Sequence, residues 1–196
     1  MVLAILSLAG YLFPGILMLS AIGVIAGYIA VSTIKRYPSE FSGLGIACAG
    51  LCLNLIILIS GIAYHSYVYA TEVPEGYERI SFEELQPENP NAPPFPPDRA
   101  LTLNGKKVFI KGYMYPDEKT KNNISKFVLI PDLGTCCFGG QPKLTNMVEV
   151  TLRDPLRLSF GMTRRKLAGK FTVDSQLKPV SGLGGVYYEL DASYAK

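Results

Sequence analysis

Hydrophobic and polar positions divide the chain into two halves with different periods. Between Met1 and Thr71 the only charged residues are Lys35, Arg36 and Glu40, and uncharged runs flank them on both sides, Met1–Ile34 and Phe41–Thr71. Uncharged apolar runs of about 18 residues or more read as membrane helices, because a helix satisfies its own backbone inside lipid. Two such runs around a short charged turn predict a membrane hairpin. The first run is 34 residues long. As one helix it would reach roughly 50 Å, beyond a hydrocarbon core of about 30 Å. A break is therefore expected at Pro14-Gly15. Met1–Phe13 becomes a re-entrant or interfacial segment, and the spans fall at about 16–34 and 42–63. Tyr64, Tyr67 and Tyr69 follow the second span as an interfacial aromatic belt would.

The second half alternates with period two. "KVFIKGYM" at 107–114 places Val108, Ile110 and Gly112 on one face. Lys126–Ile130, Met147–Leu152, Leu167–Val173 and Val186–Leu190 complete five candidate strands. Turn signals separate them at Pro116-Asp117, Pro131-Asp132, Asp154-Pro155 and Gly182–Gly185, and Asp154–Lys166 is expected to hold a short helix. Five short strands with a helix between the third and fourth predict a small Greek-key barrel of OB type. The predicted fold class is an α+β membrane protein, a transmembrane helical hairpin (1–70) followed by an OB-like β domain (101–196). Between them, 71–100 reads as an acidic, proline-rich linker. "ISFEEL" at 80–85 is either a strand end or one helical turn. Pro87, Pro90, Pro93, Pro94, Pro96 and Pro97 favour an extended spacer, since proline cannot donate to a ladder.

Charge is unevenly distributed. Residues 70–98 hold seven acids and one base, and residues 99–196 hold sixteen bases and eight acids. The basic half suits anionic lipid, an acidic protein or nucleic acid, or is an ordinary solvated surface. The one histidine is His65, at the end of the second apolar run. The β half therefore has no Ser-His or Cys-His pair and no zinc-protease helix. No cleaved signal peptide is expected: the start lacks a positive n-region and its first run exceeds an h-region.

Within the hairpin, small residues recur at four-residue spacing: Gly23 and Gly27, Gly43 and Ala47, Gly45 and Ala49. They are expected to let the two helices approach closely. Cys48 and Cys52 read as small packing residues, and Asn54 as a hydrogen bonder across the hairpin. Lys35 and Arg36 set the topology by the positive-inside rule. The turn is then cytoplasmic, and the β half lies outside the cytoplasm of a bacterial inner membrane.

The segments "AILSLAG" (4–10), "IGVIAGYIAVSTIKR" (22–36) and "SGLGIACAGLCLNLI" (42–56) resemble a bacterial two-helix membrane family, domain of unknown function 4190. The resemblance implies a hairpin and no activity. "ISFEEL" (80–85), "LNGKKVFIKGYMYP" (103–116), "KFVLIPDLGTCCFGGQP" (126–142) and "NMVEV" (146–150) resemble a second family, domain of unknown function 3299, across about 77–191. This resemblance implies an exported or membrane-tethered protein. Many members carry a histidine shortly after the cysteine, and Cys137-Phe138 stands in its place here.

Cys136 and Cys137 admit several chemistries. Adjacent cysteines rarely bond to each other, because the ring is strained. Zinc normally wants four ligands, and this loop offers two sulfurs with Asp132 nearby, whereas a soft ion such as Cu(I) can use two thiolates. Thiol redox, an intermolecular disulfide, and plain packing in a glycine-rich turn stay open. Arg164, Arg165 and Lys166 form a basic cluster for a partner or lipid, or a solvated face. "SGLGG" at 181–185 is a turn and not a phosphate loop, because no Lys-Ser/Thr follows.

Three functions compete. The first is an anchored extracytoplasmic binding or assembly module, contacting membrane lipid and a membrane or periplasmic protein partner. The second is a thiol-dependent redox or metal-handling protein using Cys136 and Cys137. The third is OB-type nucleic-acid binding, with Tyr113, Tyr115 and Phe127 stacking bases, which the hairpin charges oppose.

Overall fold

The computed structural model describes residues 2–11, 14–87, 89, 95–115, 122–134, 142–180 and 183–196. They form two compact units, 1–72 and 73–196. The first unit is helical: α1 (Val2–Ser7), α2 (Leu17–Arg36) and α3 (Leu44–Thr71). A 3-10 turn at Pro14–Ile16 precedes α2, so the break falls at Pro14. Proline suits a helix start, where its missing N–H would have had no partner. Pro14–Arg36 and Leu44–Thr71 are long and apolar enough to cross a membrane. α3 runs past the expected span and carries Tyr64, Tyr67 and Tyr69 within the helix.

The N-terminal segment folds back on α3. Tyr11 shares a hydrogen bond with Ser60 (2.6 Å), and its ring meets Tyr64 edge-on at 5.8 Å. The His65 ring nitrogen Nε2 lies 2.8 Å from the Gly10 carbonyl, so this lone histidine has a local structural partner. Leu17 and Ile57 are the buried apolar pair, with Tyr11 packed against them.

The second unit is a six-stranded sheet of β1 (Glu78–Arg79), β2 (Lys107–Met114), β3 (Lys126–Ile130), β4 (Val148–Leu152), β5 (Arg165–Lys178) and β6 (Val186–Ala195). Strand order is β1-β2-β3-β4-β6-β5, and β5 also pairs with β2. The five longer strands thus pair in a ring. Within it β4–β6 is parallel and the other ladders are antiparallel, and outside it β1 adds to β2 in parallel. β2 and β3 keep the boundaries that their alternation predicts. β5 and β6 run longer than predicted: the added end of β6, Asp191–Ala195, pairs with Leu167–Lys170, and the added end of β5 reaches Lys178 opposite Val186.

Alternation sends Val108, Ile110 and Met114 of β2 into the main core with Leu129, Val150, Leu167, Phe171, Tyr188 and Leu190. Phe171 stacks on Tyr188 at 5.7 Å, and the Tyr188 hydroxyl donates to the Leu85 carbonyl at 2.7 Å. Burial pushes the Tyr188 phenol far above its ordinary range. A smaller apolar cluster, Val128, Ile130, Met147, Leu183 and Val186, packs Leu133 and Leu144 against it.

Two expectations need revision. The helix expected within Asp154–Lys166 is absent: the stretch opens with a turn at Asp154-Pro155, and Leu158 then exchanges backbone hydrogen bonds with Ile124 (2.8 and 3.1 Å). Leu156, Leu158 and Phe160 pack at the core rim, so strand-type alternation overrides the helical expectation. The first half of the expected linker is not free spacer. β1 pairs with β2, and a 3-10 turn at Phe82–Leu85 buries Phe82 and Leu85 with Ile80. Ser81 and Glu84 form a reciprocal capping box at that turn.

Candidate functional site

β2 turns Lys107, Phe109 and Lys111 away from the main core. On β5 the corresponding residues are Lys166, Ala168 and Lys170. Register places Lys107 opposite Lys170, Phe109 opposite Ala168 and Lys111 opposite Lys166. β1 adds Arg79 beside Phe109. The Arg79 guanidinium lies 5.5 Å and the Lys111 ammonium 6.0 Å from the Phe109 ring centre. Phe109 itself is fully buried. This sheet face thus carries five cations, of which Arg79 and Lys111 stand over the Phe109 ring in a cation–π arrangement. Its β6 border holds an acid: Asp191 faces Lys170 and accepts two hydrogen bonds from Arg153, at 2.9 and 2.6 Å. The Arg153 hydrogen bonds hold the Asp191 carboxyl below its ordinary range.

A second charge cluster lies at the other end of the sheet. Glu149 is 6% exposed, with Lys126 at 2.9 Å and Lys178 at 2.8 Å, and Lys178 also pairs with Glu189. Burial alone would raise the Glu149 carboxyl, but the two lysine hydrogen bonds prevail and lower it. Glu149 and Glu189 raise the Lys178 ammonium well above its usual range. The four charges balance, so this cluster is a self-satisfied structural network. A third network joins the 73–87 segment to the sheet unit: Arg99 donates to Glu84 at 2.9 Å and to Glu78 at 3.0 Å. Lys106 stands 3.5 Å from Glu78.

The residues singled out in the sequence are dispersed. Cys136 and Cys137 lie outside the described residues. Among the described residues no group of three His, Cys, Asp or Glu side chains is placed to hold a metal ion. The Arg164–Lys166 cluster divides by strand alternation. Arg164 is exposed in the loop, Arg165 donates to the Ser159 carbonyl at 2.7 Å, and Lys166 joins the β2–β5 face opposite Lys111. Alternation of Lys107, Phe109 and Lys111 is visible in the chain. Their facing strand is not, because β5 begins more than 50 residues later.

Lys35 and Arg36 occupy the last turn of α2. Gly23 packs against Asn54, where a side chain would collide with the amide oxygen, and a Cβ at Gly27 would lie 3.1 Å from the Leu51 Cα. Asn54 donates to the Gly50 carbonyl of its own helix at 2.8 Å rather than across the hairpin. Gly43 does not pack. It precedes α3 with φ 96°, a left-handed conformation that glycine adopts without penalty, and no atom stands near its Cβ position. Ala47 lines a groove of about 360 Å³ with Gly23, Gly27, Gly50 and Asn54.

Comparison with known proteins bears on the second unit. The profile of the family described as "Protein of unknown function (DUF3299)" matches residues 95–196. A crystal structure of a DUF3299 family protein from Pseudomonas aeruginosa PAO1 is similar over 61% of this chain and 94% of its own length, with 19% identity and a TM-score of 0.47. No curated protein matches the chain. The profile begins at Phe95, although Ile80, Phe82 and Leu85 belong to the same core. On its match to residues 95–196, the chain belongs to the DUF3299 family.

Proposed function

We propose that this protein is a membrane-anchored, extracytoplasmic binding or assembly module of a bacterial inner membrane, in which an OB-like barrel is presented by a helical hairpin. One observation carries the anchor. In the most apolar stretches of Pro14–Arg36 and Leu44–Thr71, only 17% and 22% of residues are buried within the protein. Met18, Ile22, Ile25, Ile29, Ile56 and Ile59 all project outward. A helix that is apolar all round and mostly uncovered needs lipid as its solvent.

The resemblance of the hairpin to domain of unknown function 4190 agrees with that anchor. Lys35 and Arg36 at the turn favour a cytoplasmic loop, which sends the β unit outward. The ring β2-β3-β4-β6-β5-β2, with its parallel β4–β6 ladder, supports the OB-like reading. A membrane or periplasmic protein is the partner class, since the networks around Glu149 and Arg99 are internally satisfied and offer no reaction.

Two measurements test this reading. Mild detergent extraction of the tagged chain is expected to recover the same membrane or periplasmic protein in repeated preparations, and a chain always recovered alone counts against the module. In a variant with Cys48 and Cys52 replaced, an impermeant maleimide on intact, reduced cells is expected to label Cys136 and Cys137. Labelling only after permeabilisation places the β unit in the cytoplasm and overturns the topology.

A further inference from the structure

We infer that Val2–Tyr11, the helix α1 with the 3-10 turn that follows it, is a partial span that turns Val2, Ile5 and Leu6 toward the acyl chains of one leaflet. The inference rests on the anchored reading and deepens it by a third membrane segment. Contacts at both ends fix the direction of this segment. Gly10 and Tyr11 meet His65 and Ser60, in the half of α3 remote from the Lys35-Arg36 turn. Val2 and Leu3 line the groove with Gly27, Ala30, Ile46 and Ala47, from the halves of α2 and α3 nearer that turn. The segment therefore runs along the hairpin and not across its end. Its six α-helical and four 3-10 residues reach about 17 Å, roughly half of a hydrocarbon core.

The side chains favour acyl chains over headgroups and water as the neighbours of its outer face. A helix lying on a membrane surface keeps a charged or polar face in water. Val2–Tyr11 holds no charge. Its Ser7 is fully buried, whereas Val2, Ile5 and Leu6 are more than half exposed. Bulky aliphatic side chains outward with a polar one inward reverse the pattern of a helix packed in water. Ile22 and Ile25 of α2 and Ile56 of α3 share that outward, uncharged character. On the anchored reading lipid covers those isoleucines, and the segment alongside them meets the same solvent.

The chain contains no tryptophan, so a single introduced one reports its own surroundings. The full chain carrying Val2→Trp, Ile5→Trp, Leu6→Trp or, on α2, Ile25→Trp is reconstituted into phosphatidylcholine vesicles brominated near the headgroup end or near the methyl end of the acyl chains. Iodide quenching reads exposure to water. Methyl-end bromines are expected to quench Val2→Trp and Ile25→Trp severalfold more than headgroup-end bromines do. That bias should weaken through Ile5→Trp to Leu6→Trp, since each helical residue changes depth by about 1.5 Å. Iodide is expected to leave all four unaffected. Equal bias toward headgroup-end bromines at Val2, Ile5 and Leu6, with Ile25→Trp still quenched from the methyl end, lays the segment on the surface. That result overturns the inference and leaves the anchor intact. So does a lack of quenching at all three positions, which a second copy covering α1 would produce. Iodide quenching of Ile25→Trp together with the other three overturns the anchor and the inference with it.

Discussion

The helical unit and the sheet unit treat apolar surface in opposite ways. In the first, Leu17 and Ile57 are the buried large aliphatic side chains among the described residues, and isoleucines project outward along α2 and α3. In the second, Phe109, Phe171, Tyr188 and many aliphatic residues are buried completely, and of the charged side chains described Glu149 alone joins the buried set. On the anchored reading proposed above, the solvent around each unit explains the difference. A sheet unit in water gains its stability by removing apolar area from solvent, about 25 cal/mol per Å². On that same reading, the helices would gain nothing from hiding leucine from leucine-like tails, and close contact at small residues such as Gly23 and Gly27 would hold them together.

The strongest way to break that contrast is a core truncation. Phe171→Ala removes a fully buried ring stacked on Tyr188 and is expected to cost the sheet unit about 3–5 kcal/mol. Denaturant unfolding in micelles, followed by near-ultraviolet tyrosine circular dichroism, should show the loss while helical far-ultraviolet signal persists. Simultaneous collapse of the helices would show that the units do not fold independently.

A smaller effect sharpens the helical side. Gly23→Leu collides with Asn54, whereas Gly45→Leu meets no atom within 4 Å. The first is expected to loosen the hairpin by about 1–3 kcal/mol, and the second to leave it unchanged. Spin-label distances between α2 and α3 would separate the two, and equal broadening would refute the packing role of Gly23.

Acid gives the smallest contrast. Glu149, Glu78 and Asp191 all have carboxyls held below their ordinary range in the folded state. Each therefore stabilises the fold at neutral pH, and that stabilisation is lost as pH falls from about 4 through the lowered values. The buried Glu149 contribution is on the order of 1–2 kcal/mol. Stability of the sheet unit should fall below about pH 4 while the helices, with few acids, are unaffected. Glu149→Gln should flatten part of that pH dependence. An unchanged profile in the variant would mean that the Lys126 and Lys178 contacts add no stability.

Much of this architecture is written locally. Uncharged runs around Lys35 and Arg36 mark the two long helices, and Pro14 marks where the first begins. Alternation in 107–114 and 126–130 places β2 and β3 to the residue. The Asp154–Lys166 stretch holds no helix, although its place between turn signals predicts a short one. Its Leu156, Leu158 and Phe160 alternation is the signal that carries the truth. Within 78–85, "ISFEEL" reads as a strand end or one helical turn, and Phe82–Leu85 does form a 3-10 turn; what the acidic composition conceals is its pairing partner. Glu78 and Glu84 look solvated until Arg99 arrives to pair them.

The cationic face shows where local reading ends. Composition alone establishes a basic C-terminal half, and period two alone puts Lys107 and Lys111 on one side of a strand. Which lysines stand opposite them depends on β5 returning to β2 across the ring. That pairing is chosen by burial of Val108, Ile110, Leu167 and Phe171 against one another, a long-range packing condition. Periodicity thus determined what each strand presents to either side, and the tertiary structure alone decided which of those faces meet.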